Sequence, residues 1–102
     1  MYNIVLLCQH GASTGMVAKK ISEAAEKKGI EAVVNAYPMS QIAEVINGAD
    51  IILLGPQIRF KLNAFQKEYG DRGVPFITVE PTDYGMLNGD NILDSVLKHL
   101  KK

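Results

Sequence analysis

Short apolar runs alternate with stretches of helical periodicity along the chain. The runs are rich in aliphatic residues, which predicts β-strands at residues 3–8, 30–37, 50–54 and 74–79. The first run is apolar at every position after Asn3, as is typical of a strand buried on both faces. After each run, apolar residues recur three or four positions apart, which predicts an amphipathic helix. Gly29 is expected to end the first of these helices.

The remaining helix boundaries follow from caps and breakers. The first helix is predicted at residues 15–28, and Ser40 is expected to cap a short second helix. A third helix is predicted at residues 58–69. A long loop is then expected at residues 80–89, and the last helix is capped by either Asn88 or Asp90.

The alternation of strands and helices predicts an α/β fold. Helical crossovers join parallel strands with a right-handed sense and cover both faces of the sheet. The smallest such arrangement is a three-layer α/β/α fold with a four-stranded parallel sheet in the order 2-1-3-4. Ligands bind at the carboxyl ends of strands in such sheets, which here would bring together residues 9–14, 55–57 and 80–86.

Composition narrows the function classes. The chain of 102 residues predicts one domain, residues 1–102, and its 11 basic and 11 acidic residues give no net charge. That balance argues against nucleic acid or anionic membrane as the main partner. A single cysteine excludes an internal disulfide and a cysteine-rich metal site, and we expect no cofactor or metal. The first apolar run is too short for a signal peptide or membrane span, so we expect the protein in the cytoplasm, where a lone thiol stays reduced. Nothing in the sequence requires an oligomer, so a monomer is expected.

Candidate chemistry lies directly after the first predicted strand. Cys8 ends that strand, and the loop before the helix consists of Gln9, His10, Gly11, Ala12, Ser13, Thr14 and Gly15. Backbone N–H groups and the positive end of the helix dipole converge on such a loop. They favour a thiolate and bind the oxygens of a phosphate. The alternative is that Cys8 is a buried, inert core residue.

Thr14 distinguishes this loop from that of the cysteine phosphatases. Those enzymes carry an arginine at the sixth position after the nucleophilic cysteine, where this chain has Thr14, and no Lys or Arg follows Cys8 before Lys19. Without the arginine, the transition state of phosphate ester hydrolysis loses its main charge stabiliser. The loop therefore favours a thiol that accepts a phosphoryl group and passes it on.

Five short segments together resemble the enzyme IIB component of the lactose/cellobiose/chitobiose class of the bacterial phosphoenolpyruvate-dependent sugar phosphotransferase system. They are Ile-Val-Leu-Leu-Cys at 4–8, Gly-Ala-Ser-Thr at 11–14, Val-Asn-Ala-Tyr-Pro at 34–38, Asp-Ile-Ile-Leu-Leu-Gly-Pro-Gln at 50–57, and Tyr-Gly at 84–85. The resemblance spans essentially the whole chain. It implies a fold similar to that of the low-molecular-weight tyrosine phosphatases.

The resemblance also implies roles and partners. Cys8 would be phosphorylated by a phosphohistidine of a IIA component, with residues 9–15 as the phosphate-binding loop. The acceptor would be a β-glucoside or disaccharide of the cellobiose, chitobiose or lactose type, bound by the membrane IIC component. Gln57, after the third predicted strand, and Tyr84, in the last loop, are further candidates for residues beside the site or in contact with a partner. The alternatives are that Gln57 only shapes the turn into its helix and that Tyr84 packs within its loop.

Two other functions stay open at this point. One is a low-molecular-weight cysteine phosphatase, against which the missing arginine argues. The other is a non-catalytic regulatory domain in which Cys8 is structural. His10 is similarly open, because it would stabilise a thiolate or phosphate if protonated but is otherwise an exposed loop residue.

Overall fold

The computed structural model describes residues 2–9 and 14–100, and of Thr14 it describes only the backbone. Four strands pair in parallel within these ranges, in the order β2-β1-β3-β4. They are β1 (Tyr2–Cys8), β2 (Ala32–Pro38), β3 (Ile51–Leu54) and β4 (Phe76–Thr78). The predicted strand order and parallel pairing are confirmed.

Helices follow each strand. The α-helices are α1 (Thr14–Lys27), α2 (Ile42–Val45), α3 (Leu62–Tyr69), α4 (Pro81–Gly85) and α5 (Gly89–Leu100). Short 3₁₀ segments at Met39–Gln41, Pro56–Lys61 and Gly70–Arg72 connect them to the strands or to one another. The predicted α/β fold is therefore confirmed.

Alternate strand residues face two apolar cores, because side chains along a strand point to opposite faces. On one face, Ile4, Leu6 and Ile51 pack with α1, α4 and α5. On the other, Val5 and Leu7 pack with α2, α3 and the segment between β3 and α3. The alternation along β1 continues to its last residue and directs Cys8 to the same face as α1.

The end of α1 explains why β2 begins later than predicted. Gly29 has a φ of 71°, and its N–H donates to the carbonyl oxygen of Glu26 at 3.1 Å. The N–H of Ile30 donates to the carbonyl oxygen of Ala25 at 2.9 Å, which completes a Schellman motif. Ile30 thus belongs to the helix ending, and β2 starts at Ala32.

Three other predicted helix or loop boundaries are wrong, each within a few residues of a proline, and β4 is shorter than predicted, Phe76–Thr78 in place of 74–79. Ser40 makes no cap, since it lies inside a 3₁₀ turn that extended Pro38 precedes. The helix predicted from residue 58 starts as a 3₁₀ segment at Pro56, and α3 proper begins at Leu62. The predicted loop at residues 80–89 contains α4, where Pro81 occupies the first turn because its fixed φ suits that position.

The start of α5 follows one of the two predicted caps. The side-chain oxygen Oδ1 of Asn88 accepts a hydrogen bond from the N–H of Asn91 at 3.2 Å. Asn88 therefore satisfies one of the N–H groups that have no partner in the first turn of a helix. Asp90 lies inside the helix, where its carboxylate is 3.7 Å from Lys27.

A hydrogen-bonded ion pair joins the end of α1 to α5. Nζ of Lys28 lies 2.7 Å from Oδ1 of Asp94, and this hydrogen bond raises the pKa of Lys28 above its ordinary value. A lysine whose pKa is higher in the folded protein than in the unfolded chain stabilises the fold fully at pH values below its unfolded-state pKa. This stabilisation is lost as the pH rises through the folded-state pKa.

We therefore expect the native protein to lose a small amount of stability in strongly alkaline solution. In Asp94→Asn, which lacks the ion pair, this additional loss should be absent. Urea midpoints of the native protein and the variant at about pH 8 and about pH 11 would measure it. The effect is small because both side chains are exposed. An equal loss in both proteins would assign the alkaline change to other groups.

Candidate functional site

Cys8 occupies the carboxyl end of an inner strand. It is the last residue of β1, pairs with Pro38 of β2 and is 5% exposed. The next residue, Gln9, is exposed, so the chain leaves the sheet directly after the cysteine. The sulfur thus lies at the boundary between the core and the surface where this fold class binds ligands.

The helix after Cys8 has the electrostatic character of an anion site. α1 begins at Thr14 and has no acidic residue in its first turn to cancel the partial positive charge of its N-terminus. The first N–H groups of an α-helix have no partner within the helix, and such groups bind anions. Gly15 is exposed in this turn.

Part of the predicted phosphate loop lies outside the described residues. These positions are His10, Gly11, Ala12 and Ser13, together with the side chain of Thr14. Their predicted role in binding phosphate therefore stays a prediction.

The end of β3 meets β1 one residue before the cysteine. The N–H of Gly55 donates to the carbonyl oxygen of Leu7 at 2.9 Å. A Cβ built on Gly55 would lie 3.0 Å from Oε1 of Gln57, 3.4 Å from the Leu7 carbonyl oxygen and 3.6 Å from Cε2 of Tyr84. Gln57 and Tyr84 thus converge on Gly55, which borders the residue preceding Cys8.

The two side chains differ in their surroundings. Gln57 is exposed, and its amide folds back over the backbone of the strand end. Tyr84 is buried and packs in the apolar core that α1 and α5 share. Packing is therefore part of the role of Tyr84, while a contact of either residue with a phosphoryl group stays a prediction.

Three exposed apolar side chains were not singled out from the sequence. Met16, Phe60 and Met86 are 60%, 72% and 73% exposed, and they follow β1, β3 and β4 respectively. Each therefore belongs to a segment that starts from the carboxyl edge of the sheet. Exposed apolar groups of this kind mark contact surfaces when they cluster. For Met16 the sequence does carry a signal of exposure, because this residue falls outside the apolar stripe of its helix.

A family model described as "PTS system, Lactose/Cellobiose specific IIB subunit" matches residues 3–95. The chain belongs to this family. It is 33% identical over 95 residues to the galactose-specific EIIB component of Lactococcus lactis subsp. cremoris. It is equally similar to the cellobiose-specific EIIB component of Lactococcus lactis subsp. lactis. Each match covers 88% of both chains.

Solved structures share the fold of this IIB protein. The lactose-specific IIB domain of Streptococcus pneumoniae superposes with a TM-score of 0.88 at 20% identity, covering 98% of each chain. YwlE of Bacillus subtilis, whose structure was solved as a mutant, superposes with a TM-score of 0.64 at 13% identity over the whole of both chains. The fold is thus that of the IIB domains and of the low-molecular-weight tyrosine phosphatase type, as the resemblance implied.

Residues 2–9 and 14–100 contain neither a metal site nor a membrane span. No group of three or more His, Cys, Asp or Glu side chains there is placed to hold a metal ion. No helix in the same ranges is long and apolar enough to cross a membrane.

The close fit at Gly55 gives a test of the Gln57 position. Gly55→Ala places a methyl group against the Gln57 amide, and because this exposed side chain can move aside, we expect a loss of less than about 1 kcal/mol in the free energy of unfolding. Urea unfolding of Gly55→Ala, Gln57→Ala and the double variant measures the coupling between the two positions.

In the Gln57→Ala background, the same substitution at Gly55 should cost almost nothing, because the obstructing amide is gone. An equal cost in both backgrounds would instead assign the crowding to the Leu7 carbonyl or the Tyr84 ring.

Proposed function

We propose that Cys8 accepts a phosphoryl group from a phosphohistidine of the IIA component and passes it to a sugar bound by the membrane IIC component. The observation that supports this is the position of Cys8, at the carboxyl end of β1 and directly before the segment that leads to the N-terminus of α1. Residues 9–15 form the phosphate-binding loop in this proposal. Gln57 and Tyr84 border the site.

The relay consists of two balanced displacement steps. In the first, the Cys8 thiolate forms a bond to phosphorus while the phosphorus–nitrogen bond of phosphohistidine breaks, and the imidazole leaves as a neutral ring that takes up a proton from solvent. In the second, a sugar hydroxyl oxygen bonds to phosphorus, the sulfur–phosphorus bond breaks and Cys8 returns as a thiolate. The hydroxyl proton passes to a base on the acceptor side. Covalent catalysis of this kind divides one difficult transfer into two easier ones.

The residues at the site favour transfer over hydrolysis. Thr14 stands where a cysteine phosphatase has its arginine, so the loop offers a bound phosphoryl group neutral donors and the end of the α1 dipole. These donors hold the phosphoryl group but lack the positive charge of an arginine, which stabilises the transition state for attack by water. We therefore expect no significant turnover of an aryl phosphate.

The physiological setting follows from the two partners. The chain acts as one IIB domain, residues 1–102, as a monomer in the cytoplasm that meets IIC at the membrane. The acceptor is a β-glucoside or disaccharide of the cellobiose, chitobiose or lactose type. Relatives named for galactose and for cellobiose are equally similar to this chain, so overall identity does not choose the sugar.

Phosphorus NMR tests the reaction directly. The protein is incubated with phosphoenolpyruvate, the general phosphotransferase proteins and the cognate IIA, and a thiophosphate signal is expected to appear. Addition of IIC in vesicles with cellobiose, diacetylchitobiose or lactose should discharge that signal into one sugar phosphate. A phosphorylated histidine or serine in place of a thiophosphate would overturn the assignment of Cys8.

Two further readouts separate the alternatives. Rapid alkylation of Cys8 at neutral pH is expected for a reactive thiolate, whereas an inert thiol would favour a regulatory domain with a structural cysteine. Release of inorganic phosphate from an aryl phosphate, lost in Cys8→Ala, would favour a phosphatase.

A further inference from the structure

A cavity lies at the β4 edge of the sheet, away from Cys8. It measures about 320 Å³ and lies between the helices of the two faces, with Leu62 of α3 on one side and Ile92 of α5 on the other. Ile77 of β4, which is buried, also lines the cavity and supplies an apolar base. β4 is an outer strand in the sheet order, and this cavity follows its outer edge.

The register of β4 directs the backbone of Thr78 into this cavity. The N–H of Ile52 donates to the carbonyl oxygen of Pro75 at 3.0 Å, and the N–H of Val79 donates to the carbonyl oxygen of Leu54 at 2.9 Å. In a parallel pair, alternate residues bond to one neighbour, so Thr78 directs its N–H and carbonyl oxygen away from β3. An extended peptide placed there can bond to both groups, as in other additions of a strand to a sheet edge.

The mouth of the cavity carries negative charge that has no ionic partner among the described residues. Glu80 and Asp83 line it, and neither lies within 4 Å of a cation in that part of the chain, although Oδ1 of Asp83 accepts a hydrogen bond from the Asn91 amide. The nearby carboxylates Asp90 and Asp94, in contrast, pair with lysines of the α1 end. The ring of His99 also lines the cavity, with Nδ1 2.9 Å from the Ser95 carbonyl oxygen.

We propose that this cavity binds an extended, lysine- or arginine-containing cytoplasmic loop of the IIC component. The backbone edge supplies the pairing, the apolar base accommodates a side chain, and Glu80 and Asp83 select a basic segment. Cytoplasmic loops of membrane proteins carry an excess of Lys and Arg, which matches this charge. The identity of the partner rests on the relay proposed above, whereas the chemistry of the cavity does not.

The position of the cavity suits this role. β4 is separated from β1 by one strand, so β4 lies roughly 10 Å from the strand that carries Cys8, and the cavity lies beyond the outer edge of β4. A loop held there would keep the phosphorylated cysteine close to IIC during the second transfer. It would leave the carboxyl end of β1 uncovered for the phosphoryl group itself.

Three model peptides test the chemistry of the cavity. Acetyl-Val-Lys-Val-Arg-Val-amide is titrated against the ¹⁵N-labelled protein, and the expected result is a shift of amide signals concentrated on Thr78 and Glu80. The same peptide with N-methylated backbone and the charge-reversed acetyl-Val-Glu-Val-Glu-Val-amide should both bind at least about fivefold more weakly. Equal binding of all three, or no binding, would overturn the proposal.

Variants connect the cavity to transfer. In Glu80→Gln/Asp83→Asn, loading of Cys8 by phosphorylated IIA should be unchanged, while discharge to sugar by IIC vesicles at limiting IIC falls roughly 5- to 30-fold. Thr78→Pro removes the outward N–H together with the threonine side chain, leaves the hydrogen bonds between β4 and β3 in place, and should have a similar effect, whereas the matched control Thr78→Val keeps the N–H and should not. The control Glu44→Gln changes an exposed carboxylate on α2 and should affect neither step.

The outcomes separate this inference from the proposed relay. If the native protein is loaded and discharged normally and the cavity variants discharge equally well, the IIC loop does not bind here although the relay stands. If Cys8 is never loaded in the native protein, the relay fails, and the peptide titration still decides whether the cavity binds a basic strand.

Discussion

Replacing Cys8 by serine is expected to reduce the rate of phosphoryl transfer from IIA to sugar at least about a thousandfold. A serine hydroxyl is almost entirely protonated at neutral pH and is a much weaker nucleophile than a thiolate. The substitution is nearly isosteric, so the buried end of β1 should remain intact. A coupled assay with phosphoenolpyruvate, IIA and IIC vesicles measures the rate.

The control for this experiment is the fold of the variant. Cys8→Ser should retain its circular dichroism spectrum and most of its stability, although a hydroxyl at a site only 5% exposed costs on the order of 1 kcal/mol. Retention of normal phosphotransfer by a folded Cys8→Ser protein would contradict the assignment. Loss of transfer together with loss of folding calls for Cys8→Ala, in which no polar atom is buried.

Replacing Gly89 by alanine is expected to lower the free energy of unfolding by about 3 kcal/mol. A Cβ on this residue would lie 2.2 Å from the carbonyl oxygen of Lys20 and 2.9 Å from the nitrogen of Ile21. Because both atoms belong to the backbone of α1, no side-chain rotation relieves the contact, and α5 must move away from α1. Thermal unfolding should show a midpoint lower by roughly 10–20 °C.

Gly85 provides the matched control for Gly89. It lies at the end of α4, has no heavy atom within 4 Å of an added Cβ outside its own neighbourhood, and does not have a positive φ. Gly85→Ala should therefore change stability by less than about 1 kcal/mol in either direction. Similar losses for both variants would mean that helix separation at Gly89 is not the cause.

The sequence predicted the strands and their order because the signal there is local and repeated. β1 and β3 are continuous aliphatic runs that only a doubly covered parallel strand accommodates, and the structure buries every residue from Ile4 to Cys8. The wrong helix boundaries lie where a residue type is compatible with two different local structures. Ser40 has the chemistry of a cap, but Pro38 had already set the extended entry and the turn.

The candidate site was predicted only as far as the chain itself brings residues together. Cys8 and the start of α1 are close in sequence, so their proximity follows from a strand, a loop and a helix in succession. Gln57 and Tyr84 come from two other strand ends, and their meeting at Gly55 depends on the pairing of β3 with β1 and on the packing of α4. The resemblance to the IIB family named both residues, whereas periodicity alone did not.

The sequence by itself determined the fold class, the strand order and the position of the single cysteine at a strand end before a helix. These features depend on local apolar patterns and on chain connectivity, and both are properties of the order of residues along the chain. The tertiary structure alone decided the convergence on Gly55, the close approach of Gly89 to α1 and the acidic cavity beside Thr78. It also decided the φ of 54° at Leu87, a residue without the freedom of glycine, whose side chain packs on the α1 core. Such features arise from distances between residues far apart in the chain, and no local pattern encodes them.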